Sequence, residues 1–306
     1  MLTNNIIEVR NFTKQYGDFT AVDHISFDVE EGTIFAFLGP NGAGKSTTIN
    51  TLCTIIEKTE GEMRINGHDV AEQKALVRKD IGIVFQESTL DTRLTIEENL
   101  KLHCDFYQVP EQKVKERIDF VLDLVDLVDW RNSTVGALSG GMKRRVEIAR
   151  GLVHFPRVLF LDEPTTGLDP QTRANIWGYI TKLQKEQNIT IFLTTHYMDE
   201  AEICDKIAIM DHGKIVAYDT ATGLKEKYTK DSIKLKVASH DPLEAYLHEH
   251  ELEFILKNEY YTIYPPTLSS GLDLITQFKD SILDLEVNKG TLNDVFLNIT
   301  GREIRG

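Results

Sequence analysis

The 306-residue chain is poor in cysteine, has no long apolar run and carries no surplus of positive charge. Cys53, Cys104 and Cys204 are odd in number and far apart, so neither a disulfide framework nor a metal-ligand spacing follows. Reduced thiols in a cytosol are the expectation. No uninterrupted apolar stretch approaches the roughly 20 residues that span a bilayer. The expectation is a soluble protein that reaches a membrane only by docking onto something already there. The first residues, Met1 to Asn5, lack the pattern of a signal peptide. The formal net charge is -14, which disfavours non-specific nucleic-acid binding, because that needs a basic face. What the chain does have is apolar residues, 41% of the total, enough for packed cores in about two domains.

One stretch organises the rest: Gly39, Pro40, Asn41, Gly42, Ala43, Gly44, Lys45, Ser46 and Thr47. Residues 33–38 before it read as a buried strand, and 48–52 after it read as the start of a helix. Strand, glycine-rich loop and helix N-terminus together make a phosphate cradle. The glycines let backbone amides approach an oxyanion with no Cβ in the way. Lys45 can reach the β- and γ-phosphates, the Ser46 hydroxyl can sit on Mg2+, and Thr47 is placed for the α-phosphate. The bland alternative is a glycine-rich turn with a solvated lysine. The flanking strand and helix weigh against it.

Residues 6–12 and 25–29 alternate like strands, with Tyr16 and Gly17 at the turn between them. Taken alone, Tyr16 reads as an ordinary half-buried surface residue. Residues 81–85 read as a buried strand closed by Gln86. From about residue 87 to 138 the pattern turns helical, an insertion in an otherwise alternating strand–helix chain. Ser139, Gly140 and Gly141 then open a helix: Ser139 is an expected N-cap, and the glycines bare amides for a second anion site. Residues 158–162 form an apolar strand ending in Asp162 and Glu163. Carboxylates at the end of a parallel strand sit beside the phosphate loop, where Asp162 would hold Mg2+ and Glu163 would polarise a water. A turn at Gly167, Leu168 and Asp169 precedes another helix. His196 follows the strand at 189–194, where it can hydrogen-bond a γ-phosphate. Residues 207–218 read as a hairpin.

Residues 225–306 read as a second unit. The expected strands are 233–237, 252–256, 260–264 and 282–287, and the expected helices 242–250, 272–279 and 292–299. That order suggests a small split-βαβ sandwich with no catalytic constellation of its own.

The ordered set resembles the ATP-binding cassette (ABC) ATPase family over roughly residues 4–225. Gly39 to Thr47 resembles a Walker A loop, Gln86 the Q-loop residue, and Leu138 to Met142 the LSGGQ signature. Val158 to Glu163 looks like Walker B with its catalytic glutamate, Asp169 like the D-loop aspartate and His196 like the switch histidine. Tyr16 fits the adenine-stacking position, which reverses its bland reading. Within the family the chain is similar to ATPase subunits of daunorubicin-resistance-type exporters. The stretches that carry this are 138–145, 195–202 and the ending from Thr291 to Arg302. The signature has Met142 where the family usually has Gln. Met lacks Gln's hydrogen bonds, but the Ser139-Gly140-Gly141 site is intact and the subgroup commonly shows the change.

The resemblance implies an α/β P-loop NTPase cassette over 1–224: a RecA-like core, an antiparallel β subdomain and a helical subdomain at about 87–138. A small α+β domain follows at 225–306. It implies an ATPase using ATP and Mg2+ (Ser46, Gln86 and Asp162 toward the metal), with Glu163, His196, Gln86 and Lys45 as catalytic residues. Two copies would pair head to tail, each offering Ser139, Gly140, Gly141 and Asp169 to the other's nucleotide. A separate membrane permease would be docked through the helical insertion, on the inner face of the cell membrane, powering export of a drug or other hydrophobic compound. Two other classes stand beside this one. A soluble ABC ATPase acting on nucleic acid or ribosomes usually has two cassettes or a long coiled coil, and this chain has one phosphate loop and no sustained heptads. A non-hydrolysing regulator is disfavoured by Glu163 and His196.

Overall fold

A computed structural model of the chain describes residues 4–301. Arg302, at the end of the C-terminal motif, lies outside them. The chain opens with β1 (Asn5–Tyr16), β2 (Phe19–Glu30) and β3 (Ile34–Leu38), then α1 (Lys45–Leu52), β4 (Glu60–Ile65), β5 (His68–Asp69), α2 (Lys74–Asp80) and β6 (Ile81–Val84). The helical insertion contains α3 (Ile96–Phe106) and α4 (Glu111–Leu124). After it come α5 (Gly140–Leu152), β7 (Val158–Asp162), α6 (Pro170–Gln187), β8 (Thr190–Thr195), α7 (Met198–Ala201), β9 (Lys206–Asp211), β10 (Lys214–Asp219) and α8 (Ala221–Tyr228).

Strands β3, β7 and β8 are buried along their whole length, which suits near-continuous apolar runs covered on both faces. They form the middle of a six-stranded sheet ordered β10-β9-β3-β8-β7-β6. All its pairings are parallel except the β9–β10 hairpin. The registers align the strand ends: Leu38 pairs with Thr195, Asp162 with Thr194, and Val84 with Leu161. Chain leaving β3, β6, β7 and β8 therefore emerges at one edge, the C-terminal edge where open α/β sheets bind ligands. A second, antiparallel sheet, β2-β1-β4-β5, packs on this core. Phe27 of β2 meets Phe35, Phe37 and Phe192 with ring centroids 5.5, 5.0 and 6.1 Å away. Thr95 and Glu98 close a capping box at the start of α3.

All three cysteines are buried free thiols. Burial raises the pKa of Cys53, Cys104 and Cys204 alike. Among the described residues no helix is long and apolar enough to cross a membrane.

The chain divides between Ala221 and Thr222 into two compact units. Leu224, near which the sequence suggests a boundary, lies inside α8, an eight-residue helix of just over two turns that offers little periodicity to read. The second unit holds β11 (Ser232–Val237), α9 (His240–Glu249), β12 (Glu253–Lys257), β13 (Tyr260–Tyr264), α10 (Leu268–Phe278), β14 (Ile282–Asn288) and α11 (Leu292–Thr300). Its strands pair antiparallel in the order β12-β13-β11-β14. That is a split-βαβ sheet, cored by Leu235, Tyr261, Ile263, Leu243, Leu247 and Leu274. The C-terminal motif is a self-capped helix. Thr291 and Asp294 form a capping box, and Gly301 ends α11 at φ +71° with its N–H on the Leu297 carbonyl.

In the first unit, His154 lies just past α5. Its ring stacks on Tyr107 with centroids 3.7 Å apart, and Nε2 is 2.8 Å from the Ile81 carbonyl oxygen, so the neutral ring donates from Nε2. His103 of α3 packs beside both rings. Burial, with Arg150 and His154 adding to it, pulls the pKa of His103 down to about 3. Burial pulls His154 down to about 4 against the Ile81 hydrogen bond. Both folded values lie below the unfolded one near 6.5, so below that pH the unfolded chain binds more protons. The stability from the two neutral rings is complete above pH ~6.5 and is lost as pH falls, by up to about 1.4 kcal/mol per pH unit per ring. The expected result is a lower urea midpoint for the first unit at pH 5 than at pH 7.5. Replacing both histidines with Gln should flatten that slope.

Candidate active site

The loop after β3 is pressed between strands at two points. A Cβ on Gly39 would lie 2.3 Å from the Met210 carbonyl oxygen, and one on Gly44, at φ +101°, 2.8 Å from the Ala21 carbonyl oxygen. Both contacts are backbone and cannot yield cheaply. Helix α1 begins at Lys45 with no side-chain N-cap, so its first amides remain free to meet an anion. Asn41, Gly42 and Ser46 are exposed, while Ala43, Gly44 and Lys45 are buried and Pro40 and Thr47 half-buried.

The Lys45 side chain is 4% exposed, and its Nζ donates to the carbonyls of Gly39 at 2.7 Å and Pro40 at 3.1 Å. Glu163 Oε1 is 3.8 Å away. Burial holds the Lys45 pKa below its ordinary value, against the pull of Glu163 and Asp162. Ser46 Oγ donates to Asp162 Oδ1 at 3.2 Å. The Thr194 hydroxyl, from β8, donates to the same oxygen at 2.5 Å and accepts the Glu163 N–H at 3.0 Å. Thr194 therefore holds the Asp162 carboxylate and the Glu163 amide at once.

Glu163 has φ +45°, a left-handed conformation that costs a side-chain-bearing residue about 1–2 kcal/mol. The turn aims its carboxylate at four neighbours. Oε2 accepts from Thr166 Oγ1 at 3.0 Å and Gln86 Nε2 at 3.5 Å, and lies 3.4 Å from His196 Nδ1. Lys45 completes the set. The buried His196 Nδ1 makes no hydrogen bond. Gln86, Asp162, Glu163, His196, Lys45 and Ser46 are thus brought together at one sheet edge.

The remaining predicted residues form a second cluster. Ser139 caps α5, its hydroxyl accepting the Met142 N–H at 3.3 Å, a bond that uses no Met142 side-chain atom. A Cβ on Gly140 would meet nothing within 4 Å, while one on Gly141 would press on Thr172. Asp169 caps α6: Oδ1 accepts from the amides of Gln171 at 3.1 Å and Thr172 at 3.0 Å, and Oδ2 from the Thr172 hydroxyl at 2.6 Å. Ser139, Gly140 and Asp169 are exposed. Among the described residues no hydrogen bond or ion pair ties this cluster to the phosphate loop. Tyr16 ends β1 paired with Phe19, two residues before the Ala21 that touches Gly44. It is half exposed, with Lys14 Nζ 4.7 Å from its ring centroid.

A family model described as ABC transporter matches residues 22–166. The daunorubicin/doxorubicin resistance ATP-binding protein DrrA of Streptomyces peucetius is 35% identical over 311 residues, 96% of this chain and 92% of that protein. The chain belongs to the ABC transporter family. Its fold is that of solved ABC ATPase subunits. CbiO1 from Clostridium perfringens, described as part of the transporter complex cbiONQ, matches with TM-score 0.68 and 30% identity over 73% of this chain and 92% of that one. A dimeric post-hydrolysis state of the cassette MJ0796 bound to ADP and Pi matches with TM-score 0.63 and 29% identity, over 70% and 98%. This ABC ATPase accordingly binds and hydrolyses ATP.

Sequence reasoning missed Thr194, Thr166 and Arg144. Arg144 of α5 is 6% exposed. Its Nε donates to the Pro164 carbonyl at 2.7 Å; Nη1 donates to the Phe85 carbonyl at 2.5 Å and to Glu147 Oε2 at 2.9 Å. Nη2 reaches the carbonyls of Asp162 and Glu163 at 3.2 and 3.3 Å. No local pattern marks it: Arg144 shares a helical face with Glu147 and Ile148, and its burial depends on which face of α5 turns inward.

Gly39→Ala should weaken ATP binding by roughly tenfold or more, because a Cβ facing the Met210 carbonyl must displace the loop. Titration with a fluorescent ATP analogue checks this. Unchanged affinity would mean that the loop moves freely.

Proposed function

We propose that this ABC ATPase powers export of a drug or other hydrophobic compound, as a head-to-tail pair of copies docked on a separate membrane permease. The observation that carries the reading is the division of the anion-binding devices. One, at the phosphate loop, has every partner it needs within the chain. The other, at Ser139, Gly140 and Gly141, is capped, and Ser139 and Gly140 are exposed with no hydrogen bond or ion pair among the described residues tying them to the phosphate loop. A second copy supplies the missing phosphate, in keeping with the dimeric cassette structure.

ATP lies between the loop of one copy and the α5 end of the other, with its base against Tyr16. The loop amides and Lys45 hold the β- and γ-phosphates; for this Lys45 exchanges its carbonyl partners for phosphate oxygens. Ser46, Asp162 and Gln86 offer hard oxygen donors, and among the described residues no cluster of three His, Cys, Asp or Glu competes with them. That set suits Mg2+, which takes one or two carboxylates plus substrate phosphates and water. When bound it would neutralise charge on the transferring phosphoryl group. Glu163 orients and accepts a proton from the attacking water, and His196, with Nδ1 unpaired, hydrogen-bonds the γ-phosphate. Asp169, beside the second cluster, communicates between copies. Loss of the γ-phosphate removes the contacts that favour closure, so hydrolysis reopens the pair.

Export as the direction is supported by relatives named for daunorubicin/doxorubicin resistance and for Nod factor export. The transporter complex named for cbiO1 supports the reading of a separate permease, and no described helix is long and apolar enough to take that part itself. In this reading the helical insertion is the docking surface and the chain works at the inner face of the cell membrane, as the family resemblance implies.

Glu163→Gln should hydrolyse ATP on the order of 100-fold more slowly or worse, since a general base typically contributes that much. It should elute as a monomer without nucleotide and as a dimer with ATP and Mg2+ in light scattering. A monomer under conditions where ATP is bound would overturn the paired arrangement.

A further inference from the structure

Helix α5 carries two things on one rigid element. Its N-terminus presents Ser139, Gly140 and Gly141, the second anion device. One turn further on, Arg144 points the other way, into the chain's own active site. Its guanidinium spans four backbone carbonyls: Phe85, directly before Gln86, and Asp162, Glu163 and Pro164 at the end of β7. Only a planar fork of donors reaches all four; a lysine ammonium is a single point. The carbonyls it holds flank the residue in the left-handed conformation, Glu163. The acid that lies beside Lys45, His196 and Gln86 is therefore held in its strained turn partly by the helix that faces the other nucleotide.

We propose that Arg144 is a positioning residue that couples the two sites: engagement of Ser139–Gly141 by a phosphate shifts α5, and Arg144 passes that shift to Glu163 and Gln86 of the same chain. The inference rests on the paired arrangement proposed above. Seating the α5 end on nucleotide would tune the hydrolysis rate in the opposite half of the same chain. This links the two ATP sites without any contact between them.

The test is a double-mutant cycle on kcat with the purified full chain. Ser139→Ala weakens phosphate engagement, and Arg144→Gln cuts the link. Arg144→Gln should lower kcat on the order of tenfold or more while KM for ATP stays within about threefold, a split expected of a group acting on the transition state alone. The loss of kcat caused by Ser139→Ala should then shrink in the Arg144→Gln background to the part that Ser139 contributes directly to the nucleotide it touches. Additive losses would overturn the coupling while leaving the paired arrangement intact. If Ser139→Ala alone leaves kcat unchanged, the paired arrangement itself fails. Should Arg144→Gln be insoluble, Arg144→Lys keeps the buried charge and its Glu147 partner but cannot span the four carbonyls. It is expected to show the same lost coupling, and full coupling in Arg144→Lys would refute the role assigned to the fork.

Discussion

A buried ammonium is the demand around which the first unit is arranged. Lys45 cannot remain charged at 4% exposure without acceptors close by. Two come from its own loop. The third, Glu163, comes from a strand more than a hundred residues away, and it arrives only because β8 sits between β3 and β7 with the three strand ends level. Glu163 then has to turn through a left-handed residue to face the amine. Thr194 takes its amide and Arg144 its carbonyl, so the strain is sustained by bonds from a neighbouring strand and a helix. Local distortion supported from outside is characteristic of sites that must be preorganised for chemistry.

The same economy explains why the two anion devices differ in finish. The phosphate loop is clamped by the backbone of β2 and β9, and its lysine is satisfied in the absence of any ligand. The α5 terminus has a satisfied cap but open space beside Gly140. A surface kept polar, amide-rich and uncovered pairs poorly with apolar neighbours and well with a phosphate. The loop is shaped by folding; in the pairing proposed above, the α5 end is completed by the phosphate of the other copy's nucleotide.

Much of this was legible in the sequence, and the boundary has physical causes. The phosphate loop could be read because strand, glycines and helix follow one another without interruption from Ile34 to Leu52, each with its own pattern. The insertion showed because apolar spacing changed from buried runs to helical stripes. The short α2 and the two-residue β5 gave nothing to count. Thr194 was invisible because its role depends on the register of β8 against β7, which no local pattern encodes. Arg144 was visible only as a basic residue among others, Lys143 and Arg145, and its burial required knowing which face of α5 turns inward. Tyr16 gained a role from family resemblance alone, since its own turn argued for nothing more than a surface residue. In the second unit the element order sufficed for the split-βαβ sheet; β11 and β13, its two central strands, alternate cleanly, while the outer β12 and β14 do not.

The three cysteines have a use at the bench. Cys53, Cys104 and Cys204 are at most 6% exposed, and burial disfavours the thiolate that reacts with maleimides and spin labels. A cysteine placed at exposed Asn41 or Gly140 would then be the one thiol a probe reaches quickly. The natural chain is already a silent background for measuring how far one copy's phosphate loop lies from the other's α5.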